Sequence, residues 1–132
     1  MKTRTLLFTA LVAVSAPALA AEAATQIGSF KQWNAYTHSD AEGKVCYVAS
    51  QPQDSKYSGT IKGRDPVFFM ITNKPAKNVR NEASTIIGYP FKADSKVSVD
   101  VDGQKFTMFT QADGAWMEDQ AQETALIKAM KS

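Results

Sequence analysis

The chain has 132 residues, a length that favours one domain over two. It carries 15 Lys and Arg residues against 13 Asp and Glu residues, a formal net charge of +2. Lys2 and Arg4 supply that excess, so residues 21–132 are formally neutral. A neutral domain lacks the basic surface of a nucleic-acid-binding protein and the polybasic patch that holds a protein to anionic lipid, so neither class of partner is predicted.

The first 20 residues have the pattern of a secretory signal peptide. Lys2 and Arg4 form a positive start, Leu6–Val14 is an apolar run, and an A-x-A cleavage signal ends at Ala20. The apolar run is shorter than the roughly 20 residues that a membrane-spanning helix needs. We therefore predict a signal peptide over residues 1–20 and a single β-rich domain over residues 21–132. After cleavage the domain is predicted not to be transmembrane, and to reside in the periplasm or at the outer envelope.

Short β-branched and aromatic runs, separated by Gly, Pro, Asn and Asp, predict about six or seven strands. The clearest are Trp33–Tyr36, Val45–Ser50, Val67–Thr72, Ser84–Gly88, Val97–Val101 and Gln104–Thr110. Asp102-Gly103 stands between two alternating runs, which predicts a tight hairpin because a type I′ turn needs positive φ at both central residues. Ala112-Asp113-Gly114 is predicted as a further turn, followed by Trp116 as a buried anchor.

The last part of the chain changes its period. Glu118–Lys131 has acids at its start, lysines at its end and apolar residues at helical spacing, which predicts an amphipathic helix. The residues expected to pack on the sheet are Ala121, Ala125, Leu126, Ala129 and Met130. The predicted fold is mainly β, an antiparallel β-sandwich or barrel-like fold with one short C-terminal amphipathic helix.

The sequence contains little catalytic chemistry. The single histidine, His38, is predicted to lie in an exposed polar loop beside Asp40 and Glu42, which are too few ligands to predict a metal site. The single cysteine, Cys46, lies in a β-branched and aromatic run, where a structural thiol or a disulfide is favoured over a nucleophile. Phosphate-binding glycine loops and hydrolase or metalloprotease motifs are absent from the sequence. We predict no catalytic residues, no cofactor, no metal and no enzymatic activity.

Two polar clusters flank the central apolar runs. Arg64 precedes the first run and Arg80 precedes the second, so the two could lie together at one end of the sheet. Two guanidinium groups there could bind an anionic ligand, because their geometry matches carboxylate and phosphate. Alternatively, Arg64 could pair with Glu82, or Arg80 with Asp65, and such an ion pair would only fasten two loops. The structural alternative is favoured because each arginine has an acid nearby.

Several blocks resemble one family. They read W-N-A-Y, K-V-C-Y-V-A-S-Q-P, R-D-P-V-F-F-M-I-T-N-K-P, V-R-N-E-A-S-T-I-I-G-Y-P-F and G-A-W-M-E-D. In order and spacing they resemble the invasion-associated locus B family of exported alphaproteobacterial proteins, over Phe30 to the end of the chain. The matching positions are Trp33, Cys46, Arg64, Asp65, Pro66, Arg80, Asn81, Glu82, Gly88 and Trp116.

The resemblance implies a non-enzymatic periplasmic or envelope protein. Such a protein would act through contacts with a protein or envelope component and be linked to virulence by host-cell invasion. No active site is carried over, and the alternative function is a module that binds a small anionic ligand through Arg64 and Arg80. Family members continue past the helix with further strands that end near a second cysteine. On that resemblance the chain is expected to be truncated, and Cys46 to form a disulfide with the missing segment.

Overall fold

Within residues 22–132, eight antiparallel strands form one open sheet, with a single α-helix packed on one face. The computed structural model describes residues 22–132. The elements are β1 Thr25–Phe30, β2 Trp33–Asp40, β3 Gly43–Ser50, β4 Phe68–Lys74, β5 Val79–Ile86, β6 Lys96–Val101, β7 Gln104–Gln111, β8 Gly114–Met117 and α1 Gln120–Met130. A mainly β, antiparallel fold with one short C-terminal helix is therefore confirmed. The predicted signal peptide lies outside the described residues.

The strand order is β1-β2-β3-β4-β5-β8-β7-β6, so β1 and β6 form the two edges. The first five strands are neighbours in sequence and in space. The chain then crosses to the far edge and returns through β7 to place β8 beside β5. Two backbone hydrogen bonds attach this crossing to the turn before β8, from Ile87 N to Asp113 O at 3.0 Å and from Phe91 N to Ala112 O at 2.8 Å.

Most of the predicted strands are present with shifted ends, and two were missed. β1 was missed because its register shifts between Gln26 and Gly28, and this bulge breaks the alternation that the prediction used. β8 was missed because it has 4 residues and follows directly on a turn. The hairpin at Asp102-Gly103 has φ values of 49° and 86°, so both residues have the positive φ that the type I′ prediction required.

The core lies between α1 and the half of the sheet formed by β5, β8 and β7. Alternation places every second residue of each strand on the side facing α1, which we call the helix face. Its fully enclosed residues come from all four elements: Ala83, Met108, Ala115, Met117 and Leu126. Met108 and Leu126 have no exposed side-chain surface. Burial of one such side chain contributes about 1.5–3 kcal/mol, so these contacts stabilise the packing of α1 on the sheet.

The helix buries part of the predicted stripe. Leu126, Ala129 and Met130 pack on the sheet as predicted. Ala121 and Ala125 are exposed, and the acidic Glu123 is buried in their place. The Asp119 side chain caps the helix by accepting a hydrogen bond from Gln122 N at 2.8 Å. Glu123 turns inward because its carboxylate accepts a hydrogen bond from Ala83 N at 3.2 Å. The buried face of the helix therefore includes a polar contact that the apolar spacing did not predict.

Candidate functional site

An apolar depression lies on the helix face beside α1. Trp33, Val48 and Ile71 line it from the sheet, and Ile127 and Met130 line it from the helix, enclosing a cleft of about 280 Å³. Val48 and Ile71 lie on the same face of the sheet because they are paired directly across β3 and β4. All five side chains are half-buried. This half of the helix face is therefore apolar but not enclosed as the core is.

A second cleft of about 330 Å³ adjoins the first on the other side of Trp33. Phe69, Val67 and Pro52 supply its apolar walls. The Trp33 and Phe69 rings meet edge to face with centroids 6.3 Å apart, a favourable aromatic geometry that fixes the indole between the two clefts. We call the combined surface the Trp33 trough, formed by Trp33, Val48, Phe69, Ile71, Ile127 and Met130.

Arg64 lies at the end of the sheet where β5 finishes. Its Nε donates a hydrogen bond to Ile87 O at 3.0 Å. The guanidinium carbon is 5.9 Å from the centroid of the Tyr57 ring and 5.6 Å from that of Tyr89, which is within the range of cation–π attraction. Asp65 and Pro66 follow it and line, with Arg64, a cleft of about 360 Å³. Arg64 thus fastens the long segment 51–67 to the residues after β5.

Asp65 and Gly88 meet through their backbones beside Arg64. Asp65 N donates to Gly88 O at 3.2 Å. Gly88 has a φ of 78°, and a Cβ at this position would lie 2.0 Å from Asp65 O. Only glycine fits, because the conformation is strained for other residues and the backbones approach too closely for a side chain.

Arg80 does not join Arg64. It lies exposed near the start of β5, whereas Arg64 is bound just beyond the end of that strand. At about 3.3 Å per residue, the two positions are roughly 20 Å apart. The expected meeting of the two arginines at one end of the sheet is therefore not what the structure shows. The reason is that β5 begins at Val79 rather than at Ser84, which places Arg80 inside the strand.

The expected arginine ion pairs are also not formed among residues 22–132. Glu82 lies instead 3.8 Å from Lys74 Nζ on the neighbouring strand. Asn81 has a φ of 56°, and its N–H donates to Asn73 Oδ1 at 3.0 Å, where the register of β4 and β5 shifts. Asn81 also lies at the rim of the Trp33 trough. Ligand binding by either arginine stays a prediction.

Cys46, His38 and Trp116 lie in strands and do not converge. Cys46 is half-buried on β3 with Sγ 3.6 Å from Thr37 Oγ1. His38 lies on β2 rather than in a loop, and its Nδ1 is buried without a hydrogen-bond partner in the described part of the chain. Trp116 is half-buried in β8, with its ring centroid 6.0 Å from that of Phe109. Within residues 22–132, no three His, Cys, Asp or Glu side chains come together as metal ligands would.

Comparisons with known proteins identify no relative of this chain. No protein-family model, curated protein or solved structure matches this chain. Among the helices of residues 22–132, none has the length and apolar character needed to cross a membrane.

Proposed function

We propose that this chain is a non-enzymatic protein of the periplasm or outer envelope that works by binding a protein partner through the Trp33 trough. The trough itself is the observation that carries the proposal. Aromatic and aliphatic side chains there are held in place but left half-exposed, next to a core that encloses residues of the same kind. Apolar surface of this sort on a soluble domain marks interaction sites.

The composition of the trough suggests the chemistry of the partner. A tryptophan at the centre of a ring of aliphatic residues is typical of the energetic centre of a protein interface. Lys131 lies exposed at the rim, with no ion pair among residues 22–132. The segment that fits is therefore an apolar stretch, rich in aliphatic or aromatic side chains, with an acidic residue beside it to meet Lys131.

The location of the protein rests on the sequence. The signal-peptide pattern and the resemblance to the invasion-associated locus B family both support export, and the resemblance supports a role in contact with host cells. The expected mature protein begins at Ala21 and is recovered from the periplasmic fraction. Protein that retains Met1 in the inner membrane would contradict export.

Site-specific cross-linking tests the trough directly. A photoreactive amino acid placed at Ile127, in the trough, is expected to capture one defined envelope protein when the mature domain is exported in cells. The matched control carries the same residue at Ala125, which is exposed on the same helix but points away from the sheet. Capture of the same protein from both positions, or from neither, would overturn the assignment.

Substitutions at Ile127 and Ala125 test how much the trough contributes to the affinity for the captured partner. Ile127→Gln is expected to weaken binding of the captured partner at least tenfold, a change of about 1.4 kcal/mol, because it places a polar amide in the apolar cleft. Ala125→Gln should leave the affinity unchanged. Urea unfolding of both variants separates a loss of binding from a loss of fold.

The alternative function, binding of a small anion by Arg64 and Arg80 together, loses its geometric basis because the two residues lie at opposite ends of β5. Arg64 alone lines a cleft, but its Nε is already bound to Ile87 O and its planar group is flanked by two tyrosine rings. This arrangement favours the structural role over an anion site.

A further inference from the structure

A second cleft opens on the opposite face of the sheet, away from α1. It encloses about 340 Å³, within the range of small-ligand sites. Four polar residues line it: Lys31, Gln32, Asn34 and Gln51. Its other walls are the Tyr36 and Phe68 rings and the small side chain of Ala49. We call it the Lys31 cleft. Asn34 and Tyr36 alternate with Trp33 along β2, so this cleft and the Trp33 trough lie on opposite faces of the sheet. Gln51 borders both this cleft and the second cleft of the trough.

The aromatic walls are fixed before any ligand arrives. Tyr36 stacks on Tyr47, with ring centroids 5.1 Å apart and planes 20° apart. Phe68 begins β4 and is half-buried. Ala49 lies on β3 and lines the cleft with a small side chain that is itself 5% exposed. A rigid aromatic wall costs little entropy on binding.

The polar groups of the cleft are left free to bind. Asn34 Oδ1 accepts hydrogen bonds from Gln26 Nε2 at 3.2 Å and Ser29 Oγ at 2.9 Å, so its Nδ2 remains as a donor. Gln32 and Gln51 are exposed, and each carboxamide offers donors and an acceptor. No acidic residue lines the cleft, and Lys31 forms no ion pair within residues 22–132.

The turn between β1 and β2 determines where Lys31 lies. Lys31 has a φ of 56° in this two-residue turn. Two-residue hairpin turns use a positive φ at their first central residue, and Ala112 has a φ of 52° at the equivalent position between β7 and β8. The turn places Lys31 at a cleft whose lining holds no other charged residue.

We propose that the Lys31 cleft binds an acidic saccharide. A sugar ring presents an apolar C–H face that packs on the Tyr36 and Phe68 rings. Its hydroxyl groups need partners that both donate and accept, which the carboxamides of Gln32 and Gln51 supply. Its carboxylate or phosphate substituent meets Lys31, and the absence of acids from the lining leaves that attraction unopposed.

The test is an NMR titration of the mature domain with three probes. A tetrasaccharide of alternating glucuronic acid and N-acetylglucosamine is expected to shift the backbone amides of residues 31–36, 49–51 and 68. Tetra-N-acetylglucosamine should bind there at least about fivefold more weakly, a change of about 1 kcal/mol, because it lacks the carboxylate. Inorganic phosphate at the same concentration should leave these amides unshifted.

Two variants complete the test. Lys31→Gly removes the ammonium group and suits the positive φ, so it should weaken binding of the acidic tetrasaccharide about tenfold while leaving the thermal midpoint unchanged or higher. Gln51→Ala should weaken binding severalfold. Lys128→Gln, on α1 at the opposite face, is the charge-matched control and should change nothing.

Three results would overturn the proposal. They are the absence of shifts at these amides, a response to phosphate equal to the response to the acidic tetrasaccharide, and unchanged affinity in Lys31→Gly. Binding of protein to the Trp33 trough proceeds on the other face, so failure here leaves the proposed function standing.

Discussion

The buried carboxylate of Glu123 gives the sharpest prediction about stability. Glu123 is 9% exposed, and its Oε1 accepts a hydrogen bond from Ala83 N at 3.2 Å. β8 pairs with β5 only from Ser84 to Ile86, so Glu123 takes up a backbone donor just beyond the paired stretch. Burial raises the pKa of Glu123; the Ala83 hydrogen bond opposes that rise, and the charges of Glu82 and Asp119 add to it.

Two substitutions separate the hydrogen bond from the charge. Glu123→Leu keeps the approximate volume but leaves the Ala83 N–H buried without an acceptor, a cost of about 1–3 kcal/mol. Glu123→Gln keeps a carbonyl oxygen for Ala83 N and removes the charge. We therefore expect the free energy of unfolding of Glu123→Gln to be about 1–3 kcal/mol higher than that of Glu123→Leu. For a domain of this size, that corresponds to a difference in thermal midpoint of at least about 4 °C.

The sign of the pH dependence follows from the raised pKa. A carboxyl group whose folded-state pKa lies above its unfolded value binds its proton more tightly when folded. Its stabilising contribution is therefore fully present below the ordinary value of 4.5 and is lost as the pH rises through the folded-state pKa. The pH window therefore runs from 4.5 up to the folded-state pKa of Glu123. Glu123→Gln cannot ionise, so it should be more stable than the wild type above this window. Its advantage in stability should shrink as the pH falls toward 4.5.

Urea unfolding followed by tryptophan fluorescence measures both effects in one series. The midpoints of the wild type, Glu123→Gln and Glu123→Leu are compared across that pH window, with the slope of each transition checked for constancy. Equal stability of the Gln and Leu variants would refute the hydrogen-bond argument. A wild-type-to-Gln difference that does not change with pH would refute the charge argument.

Three further predictions concern other fixed points of the fold. Gly88→Ala should lower stability by more than about 2 kcal/mol or prevent folding. Gly103 also has a positive φ, but no atom lies within 4 Å of the new Cβ, so Gly103→Ala should lose only about 1–2 kcal/mol. Equal losses in thermal midpoint would contradict the close approach at Gly88. Asp119→Ala should cost about 1 kcal/mol in urea unfolding because the N-cap bond to Gln122 is lost, and an unchanged midpoint would contradict that role. Arg64→Ala should cost about 1–2 kcal/mol, and Arg64→Lys should recover little of it if the Nε bond and the tyrosine contacts matter more than the charge.

Local patterns predicted the local structure well. Alternation identified most strands, and Asp102-Gly103 identified a hairpin whose turn residues have the required φ values. Acids and lysines at the two ends identified the helix, because they complement its dipole. These features depend on a few neighbouring residues, so one sequence is enough to find them.

Long-range placement was not predictable in the same way. The separation of Arg64 from Arg80 depends on where β5 begins, and Val79 to Ala83 is too polar to show an apolar run. The inward turn of Glu123 depends on a backbone N–H about 40 residues earlier in the chain, which no local pattern reveals. The Lys31 cleft was missed for a related reason, since it joins a turn, two strands and a loop that only the sheet register brings together.

The two proposed sites depend on one feature, the register of β2. Trp33 and Asn34 are adjacent in sequence and therefore point to opposite faces, so one strand supplies the centre of the Trp33 trough and a wall of the Lys31 cleft. A slip of one residue against β3 would exchange the two faces and abolish both sites together. The Tyr36–Tyr47 stack on one face and the Trp33–Phe69 contact on the other both favour the observed register. Substitutions that keep these rings should therefore affect one site at a time, and loss of both at once would report a slipped strand.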